Sequence, residues 1–206
     1  MPWERWVKPW EESIETGRIE CDVKQCVSCG ELPEKFWLHE RRKRNFLVMV
    51  EDLVYGFSTF AIRWKCPLCG ATFTMLPPFA LPRKRYVKET VLGRIEEYLP
   101  KREATYRSVV GRLGYASKDE TTDERRPSHS RAWHWIRELG EQDSLVRRAK
   151  RLIRAKDPAS PGVGRAVSIE LRKYKSQARR KKLQVAMSLL QAEIEMNRLF
   201  KKVSIQ

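Results

Sequence analysis

Long apolar runs are missing from this chain of 206 residues. Its longest stretch without a charge, Cys66 to Pro82, holds four prolines and several polar residues, so it cannot be a bilayer helix. The amino-terminal Met1-Pro2-Trp3-Glu4-Arg5 carries charge where a secretory signal would be apolar. A cytoplasmic, reducing location is therefore expected. Histidine is scarce, and His39, His129 and His134 share no ligand-like spacing. No Ser-His-Asp order, phosphate loop or paired-acid motif stands out, which reads as a binding protein and not an enzyme. Acidic residues are outnumbered, 26 against 42 Lys and Arg, leaving a net charge of +16. Such an excess of base implies a polyanionic partner: nucleic acid first, an anionic membrane surface second. A charged fraction of 33% with 41% hydrophobic residues is globular in character. The length suits one medium domain or two small ones, and leaves no room for a DNA-binding head plus a polymerase-sized catalytic core.

The charge is unevenly placed. Residues 147–182 contain 14 basic side chains and only Asp157 and Glu170, a net of +12 and three quarters of the total. A run so one-sided repels itself unless something neutralises it. It is either a solvated helix face or a phosphate-contacting surface, and the total charge favours the second.

Along the chain, residues 3–16 form an expected amphipathic helix with Trp3, Trp6 and Trp10 on the face that docks onto a core. Residues 34–75 read as β-rich. Phe60, Ile62 and Trp64 alternate with smaller or charged residues, and Phe46 to Val50 and Lys35 to His39 are two further expected strands. The proline-rich segment from Pro77 to Pro82 breaks regular structure. Helices are expected at about 84–98, 103–113, 128–139, 141–155 and 166–201, with Gly114 and Gly140 as C-terminal caps. Residues 115–127 form a polar loop and 157–164 a linker.

Five cysteines in a reducing compartment favour metal over disulfides. Cys26-Val27-Ser28-Cys29-Gly30 and Cys66-Pro67-Leu68-Cys69-Gly70 are two matching knuckles with 36 residues between them. A tight turn lets two thiolates reach one ion, and four complete a tetrahedron. The glycine after each second cysteine allows the backbone to turn left-handed close to sulfur. Strands between the knuckles spell a zinc ribbon with one structural Zn2+ on Cys26, Cys29, Cys66 and Cys69. Four protein ligands leave no open position for a catalytic water. A redox pair would want a thioredoxin-like context, and an iron–sulfur cluster fits the two-plus-two layout less well. Cys21 is left over, and a buried thiol is its expected role.

In the helical middle, Ala132, Trp135, Ile136 and Leu139 make an inward stripe, while His129, Arg131, His134 and Arg137 point elsewhere. Ser128 or Ser130 suits the N-cap. The preceding helix turns Tyr106, Val109, Val110 and Leu113 inward. A short helix, a connection and a helix with a Ser/His/Arg outer face describe a helix-turn-helix, although the connection from Gly114 to Pro127 is long for one. An ordinary three-helix bundle is the bland alternative.

The motif Trp64, Cys66-Pro67, Cys69-Gly70, Thr72-Phe73-Thr74, Leu76-Pro77, followed by Pro82-Arg83 and Arg85-Tyr86, resembles the zinc-ribbon modules of bacterial insertion-sequence transposases and their accessory proteins. Ser128-His129-Ser130, Trp133, Trp135-Ile136-Arg137 and Leu139-Gly140 are similar to the recognition helix of those proteins. Arg131, Ala132 and His134 depart from that pattern, so no base preference carries over. The resemblance covers about residues 26–140 and implies a mobile-element DNA-binding protein. The family's acidic catalytic domain is not expected in this sequence, where 66 residues with six Asp and Glu follow Gly140.

At the carboxyl end, Leu183, Met187, Leu190 and Ile194 follow heptad spacing for about two heptads. That is short for a free coiled coil, so packing on the chain's own body or assembly into a bundle is favoured, with a homo-oligomer through 183–200 as one form. The fold expected is α+β: an N-terminal helix (1–20), a β-rich four-cysteine zinc ribbon (21–82), a helix-turn-helix-like domain (83–156) and a basic, then amphipathic, helix (165–202). The function expected is a zinc-containing protein that recognises duplex DNA as a transposition accessory factor or regulator, with a transposase among the partners to expect. Ser128, His129, Ser130, Arg131, His134 and Arg137 would read bases. Arg172, Lys173, Lys175, Arg179, Arg180, Lys181 and Lys182 would grip phosphates. The alternative is an RNA-associated ribbon protein of translation or RNA processing. There Phe36, Trp37, Phe46, Tyr55, Phe57, Phe60 and Trp64 would stack on single strands.

Overall fold

The computed structural model describes residues 3–50, 53–99, 101, 103–110, 127–160 and 177–200. The described residues are a mixture of a three-stranded antiparallel sheet and six α-helices, an α+β composition. The described residues fall into two compact units, the first up to Thr90 and the second from Val91 onward.

The first unit is built on a long hairpin. Strand β1 (Trp37–Val50) pairs antiparallel with β2 (Leu53–Lys65), and the short β3 (Thr72–Met75) adds to the other edge of β2. The two expected strands at 35–39 and 46–50 are therefore one strand, preceded by a single 3-10 turn at Pro33–Lys35. The intervening Glu40-Arg41-Arg42-Lys43-Arg44 has no apolar alternation to announce a strand. It is held in register by β2, from Glu40 opposite Arg63 to Arg44 opposite Thr59. The expected alternation holds at Ile62 and Trp64, both buried beside half-buried Arg63 and Lys65, and fails at Phe60. Phe60 is 37% exposed, whereas Ala61 and Ile62, neighbours on opposite faces, are both fully buried. Both faces of β2 are covered there, so one-sided alternation cannot describe it.

Helix α1 (Glu4–Glu15) covers one of those faces. The Trp10 indole N–H donates to the Phe60 carbonyl at 2.8 Å, and the Thr59 hydroxyl donates to Glu11 at 2.8 Å. Trp3 lies against Tyr55 and Phe57, with ring centroids 4.9 and 6.1 Å away. Val7, Trp10 and Ile14 are buried, each stabilising the unit by about 1.5–3 kcal/mol. The tryptophan stripe is thus core, with Trp6 at its margin. After β3 the chain runs without regular structure past Pro77. Its stretch at Arg85 to Val87 then lies beside β1, with Leu47 N–H donating to the Arg85 carbonyl and Val87 N–H to the Leu47 carbonyl. That pairing buries Tyr86 and Val87 and delays the helix expected from 84, so α2 spans Lys88–Tyr98.

In the second unit, α3 (Tyr106–Val109) starts on a reciprocal Thr105–Ser108 capping box. The expected continuation to Leu113 lies outside the described residues, as do Gly114 and the loop after it. Helices α4 (His129–Gly140), α5 (Asp143–Lys156) and α6 (Gln177–Phe200) complete the unit, and α4 and α5 both pack against α6. Leu183, Val185, Ala186, Leu190 and Ala192 of α6 are buried. Two residues of the heptad seam, Leu183 and Leu190, are thus used within the chain's own unit.

Gly140 is not a left-handed cap. It is the last residue of α4, buried, with Glu141 as the C-cap residue in right-handed conformation. A Cβ there would stand 2.5 Å from the Lys182 carbonyl oxygen and 2.7 Å from the Lys182 Cβ. Glycine is needed because the α6 backbone passes directly over it.

Candidate metal centre and nucleic-acid interface

The two cysteine knuckles have the same local structure. In the first, Gly30 N–H donates to the Cys26 carbonyl at 2.9 Å and Cys26 N–H to the Glu31 carbonyl at 2.8 Å. In the second, Gly70 N–H donates to the Cys66 carbonyl at 3.0 Å and Cys66 N–H to the Ala71 carbonyl at 2.9 Å. Gly30 and Gly70 have φ of +76° and +73°, the left-handed conformation that an L side chain resists. The second knuckle is the tight turn between β2 and β3, so the sheet fixes its position.

The four sulfurs lie within 4.8 Å of one another, with Cys26 to Cys69 at 3.4 Å and Cys29 to Cys66 at 3.6 Å. Cys26 and Cys66 are buried, and Cys29 and Cys69 reach the surface. Desolvation opposes ionisation of Cys26, but the N–H groups of Ser28 and Cys29 and the adjoining thiols bring it down to about 6. The Glu31 N–H favours the Cys29 thiolate, yet desolvation and the three neighbouring sulfurs push that thiol up to about 12. Four thiolates this close repel one another, and a cation at their centre removes the conflict. The group could hold one metal ion, with each cysteine offering one ligand atom. Cys21 stands outside it. It is half-buried at the margin of the core, less enclosed than expected, and desolvation raises its thiol.

The helix expected to read bases begins where the sequence placed its cap. The Ser128 hydroxyl accepts from the Arg131 N–H at 3.3 Å and shares a 2.8 Å bond with the Ser130 hydroxyl. Ala132, Trp135 and Ile136 are buried, and Leu139 is half-buried. Ser128, His129, Ser130, Arg131, His134 and Arg137 are all exposed, so α4 carries the polar face that its sequence promised. Arg137 is also held locally: it lies over the Trp133 ring and donates to Glu141 at 3.3 Å. Of the expected phosphate contacts, Lys181 is exposed, while Lys182 is half-buried and paired with Glu141 at 2.6 Å. Arg172, Lys173 and Lys175, and the side chains of Arg179 and Arg180, lie outside the described residues.

Sequence reasoning missed a second basic surface, in the first unit. Arg42, Lys43, Arg44, Arg83 and Arg85 line an open groove of about 680 Å³, together with Asn45, Thr74, Leu76 and Pro82. The signal was present in the runs Arg41 to Arg44 and Arg83 to Arg85, which strand pairing and the Tyr86 bridge bring together.

Of the seven aromatics that the RNA reading needs, Phe36, Phe46 and Trp64 are buried, and Tyr55 and Phe57 pack partly buried on the core. Only Trp37 and Phe60 are well exposed, so most of that stacking surface is core. Among the described residues no helix is long and apolar enough to cross a membrane. Compared with known proteins, the chain matches no family, no curated protein and no solved structure.

Proposed function

We propose that this is a zinc-containing DNA-binding protein in which the metal is structural and α4 reads duplex DNA. The observation that carries the reading is the two-sidedness of α4. One side is buried in the unit, and the other presents Ser128, His129, Ser130, Arg131, His134 and Arg137 to solvent. Side chains of these types near the start of a helix suit base edges in the major groove. The net charge of +16 supplies the sequence-independent attraction. Zinc suits the centre because four cysteine sulfurs within 4.8 Å offer a closed, all-thiolate set. A role as a transposition accessory factor is supported by the motif resemblance alone.

The test is selection of preferred duplexes from a random pool, followed by affinity measurements on selected and random DNA. Arg131→Ala is expected to cost about 1–3 kcal/mol on the selected site and little on random DNA. An unchanged ratio between the two would remove α4 as the reader. Failure of the wild-type protein to bind duplex DNA at low salt would remove the whole reading.

A further inference from the structure

We propose that the groove between β1 and the Arg83–Arg85 segment is a second nucleic-acid contact, one that tracks the phosphodiester backbone. The inference rests on the duplex-binding reading above but concerns a different surface.

The lining is chemically one-sided. Five cations surround the groove, and no carboxylate is among its described lining residues. Among the described residues, Arg42, Lys43, Arg44 and Arg83 form no ion pair, although arginines elsewhere in the chain do, such as Arg5 with Glu89 and Arg63 with Glu40. The remaining polar groups can donate as well. The Asn45 carbonyl oxygen already accepts from the Ser58 hydroxyl at 2.8 Å, which leaves its amide N–H groups for a ligand. Thr74 adds a hydroxyl. Donors and positive charge, with no carboxylate among the described lining residues, fit an anion whose oxygens face several directions, as phosphates do.

The framework is also built and not loose. Arg42, Lys43 and Arg44 sit on paired β1 backbone, and the opposite bank is tied to β1 by two hydrogen bonds at Leu47. Arg83 takes a φ of +60°, unusual for a residue with a side chain, in a turn closed by the Lys84 N–H donating to the Leu81 carbonyl at 3.2 Å. The described lining residues include no aromatic ring. Base stacking is therefore not its chemistry, and sequence-independent phosphate contact is.

A competing role exists for the same charges. β1 is an edge strand, and cationic side chains on an edge deter unwanted strand pairing. The two roles predict different failures. The experiment compares the full-length, metal-loaded wild-type protein with a variant carrying Arg42→Gln, Lys43→Gln, Arg44→Gln and Arg83→Gln. A charge-keeping variant carries Arg42→Lys, Arg44→Lys and Arg83→Lys. Each is titrated with random-sequence duplex DNA across a salt series, with metal content and circular dichroism as checks of folding. If these four cations neutralise four phosphates, the glutamine variant should show a log–log salt slope shallower by about 3 to 4, and the lysine variant should keep the wild-type slope. An unaltered slope in a correctly folded glutamine variant overturns the proposal, as does a gain in aggregation with DNA binding intact. If the glutamine variant fails to fold, Arg44→Gln and Arg83→Gln are measured singly, each expected to make the slope shallower by about 0.9, and unaltered slopes in both overturn the proposal. A wild-type protein that binds no DNA defeats the parent reading instead, and inorganic polyphosphate binding that the glutamine variant loses would then assign the groove to a phosphate chain other than DNA.

Discussion

Replacing Gly140 by alanine tests the packing of α4 on α6. The new methyl carbon would stand 2.5, 2.7 and 2.9 Å from the carbonyl oxygen, Cβ and carbonyl carbon of Lys182. Carbon atoms prefer about 3.5–4.0 Å, so the two helices must separate by roughly 1 Å. Two of the three atoms are backbone, and no rotamer change relieves them. Overpacking costs about 1–3 kcal/mol, and contact with backbone places this site at the upper end. Against that, alanine gains up to about 1 kcal/mol over glycine in helix propensity. The net expectation is destabilisation by about 2 kcal/mol, read as a lower midpoint with unchanged slope in urea denaturation followed by far-UV circular dichroism. Gly140→Asn separates this mechanism from a capping role. A left-handed cap would accept asparagine nearly as well as glycine. The close approach of Lys182 makes asparagine worse than alanine, because it is larger. Wild-type stability in Gly140→Ala, or recovery in Gly140→Asn, would refute the reasoning.

Metal should be bound at one ion per chain, and Cys66→Ser with Cys69→Ser should abolish it, as read by elemental analysis of reduced protein. Chelation should unfold the first unit before the second, because metal binding energy is folding energy where the ligands are; hydrogen exchange resolved by segment reports the order. Glu141 is held below the ordinary carboxylate value of 4.5 by its bonds to Lys182 and then Arg137. A depressed folded-state pKa means that its stabilisation is complete above pH 4.5 and is lost as the pH falls below it. Glu141→Gln should therefore flatten the acid side of the stability profile measured by urea titration, while the wild-type protein retains the slope.

The parts that sequence made legible share a property: the signal lies within a few neighbouring residues. The cysteine knuckles are local turns, so C-x-x-C-G marked both halves, and the fold had only to bring them together. The Ser128 cap and the buried stripe of α4 are likewise set within one helix. What escaped depends on partners distant in sequence. Gly140 looked like a cap because nothing near it tells that Lys182 passes overhead. The alternation at Phe60 gave no sign that α1, some 50 positions earlier in the chain, covers β2 at Thr59 and leaves Phe60 exposed.

Charge shows the same limit most clearly. Summed over residues 31–100, 12 basic side chains are offset by 8 acidic ones, and the segment looks ordinary beside 147–182. Seven of those 12 lie in Arg41 to Arg44 and Arg83 to Arg85, nearly 40 residues apart. The Leu47–Tyr86 bridge sets those runs side by side, while the acids averaged with them, such as Glu31, Glu34 and Glu89, do not line the groove. The described part of the C-terminal run is divided between α5 and α6, and Lys182 there is neutralised by Glu141. A linear sum therefore hid the basic surface of the first unit. Electrostatic attraction acts over about 10 Å in moderate salt, a distance that sheet pairing sets and sequence separation does not.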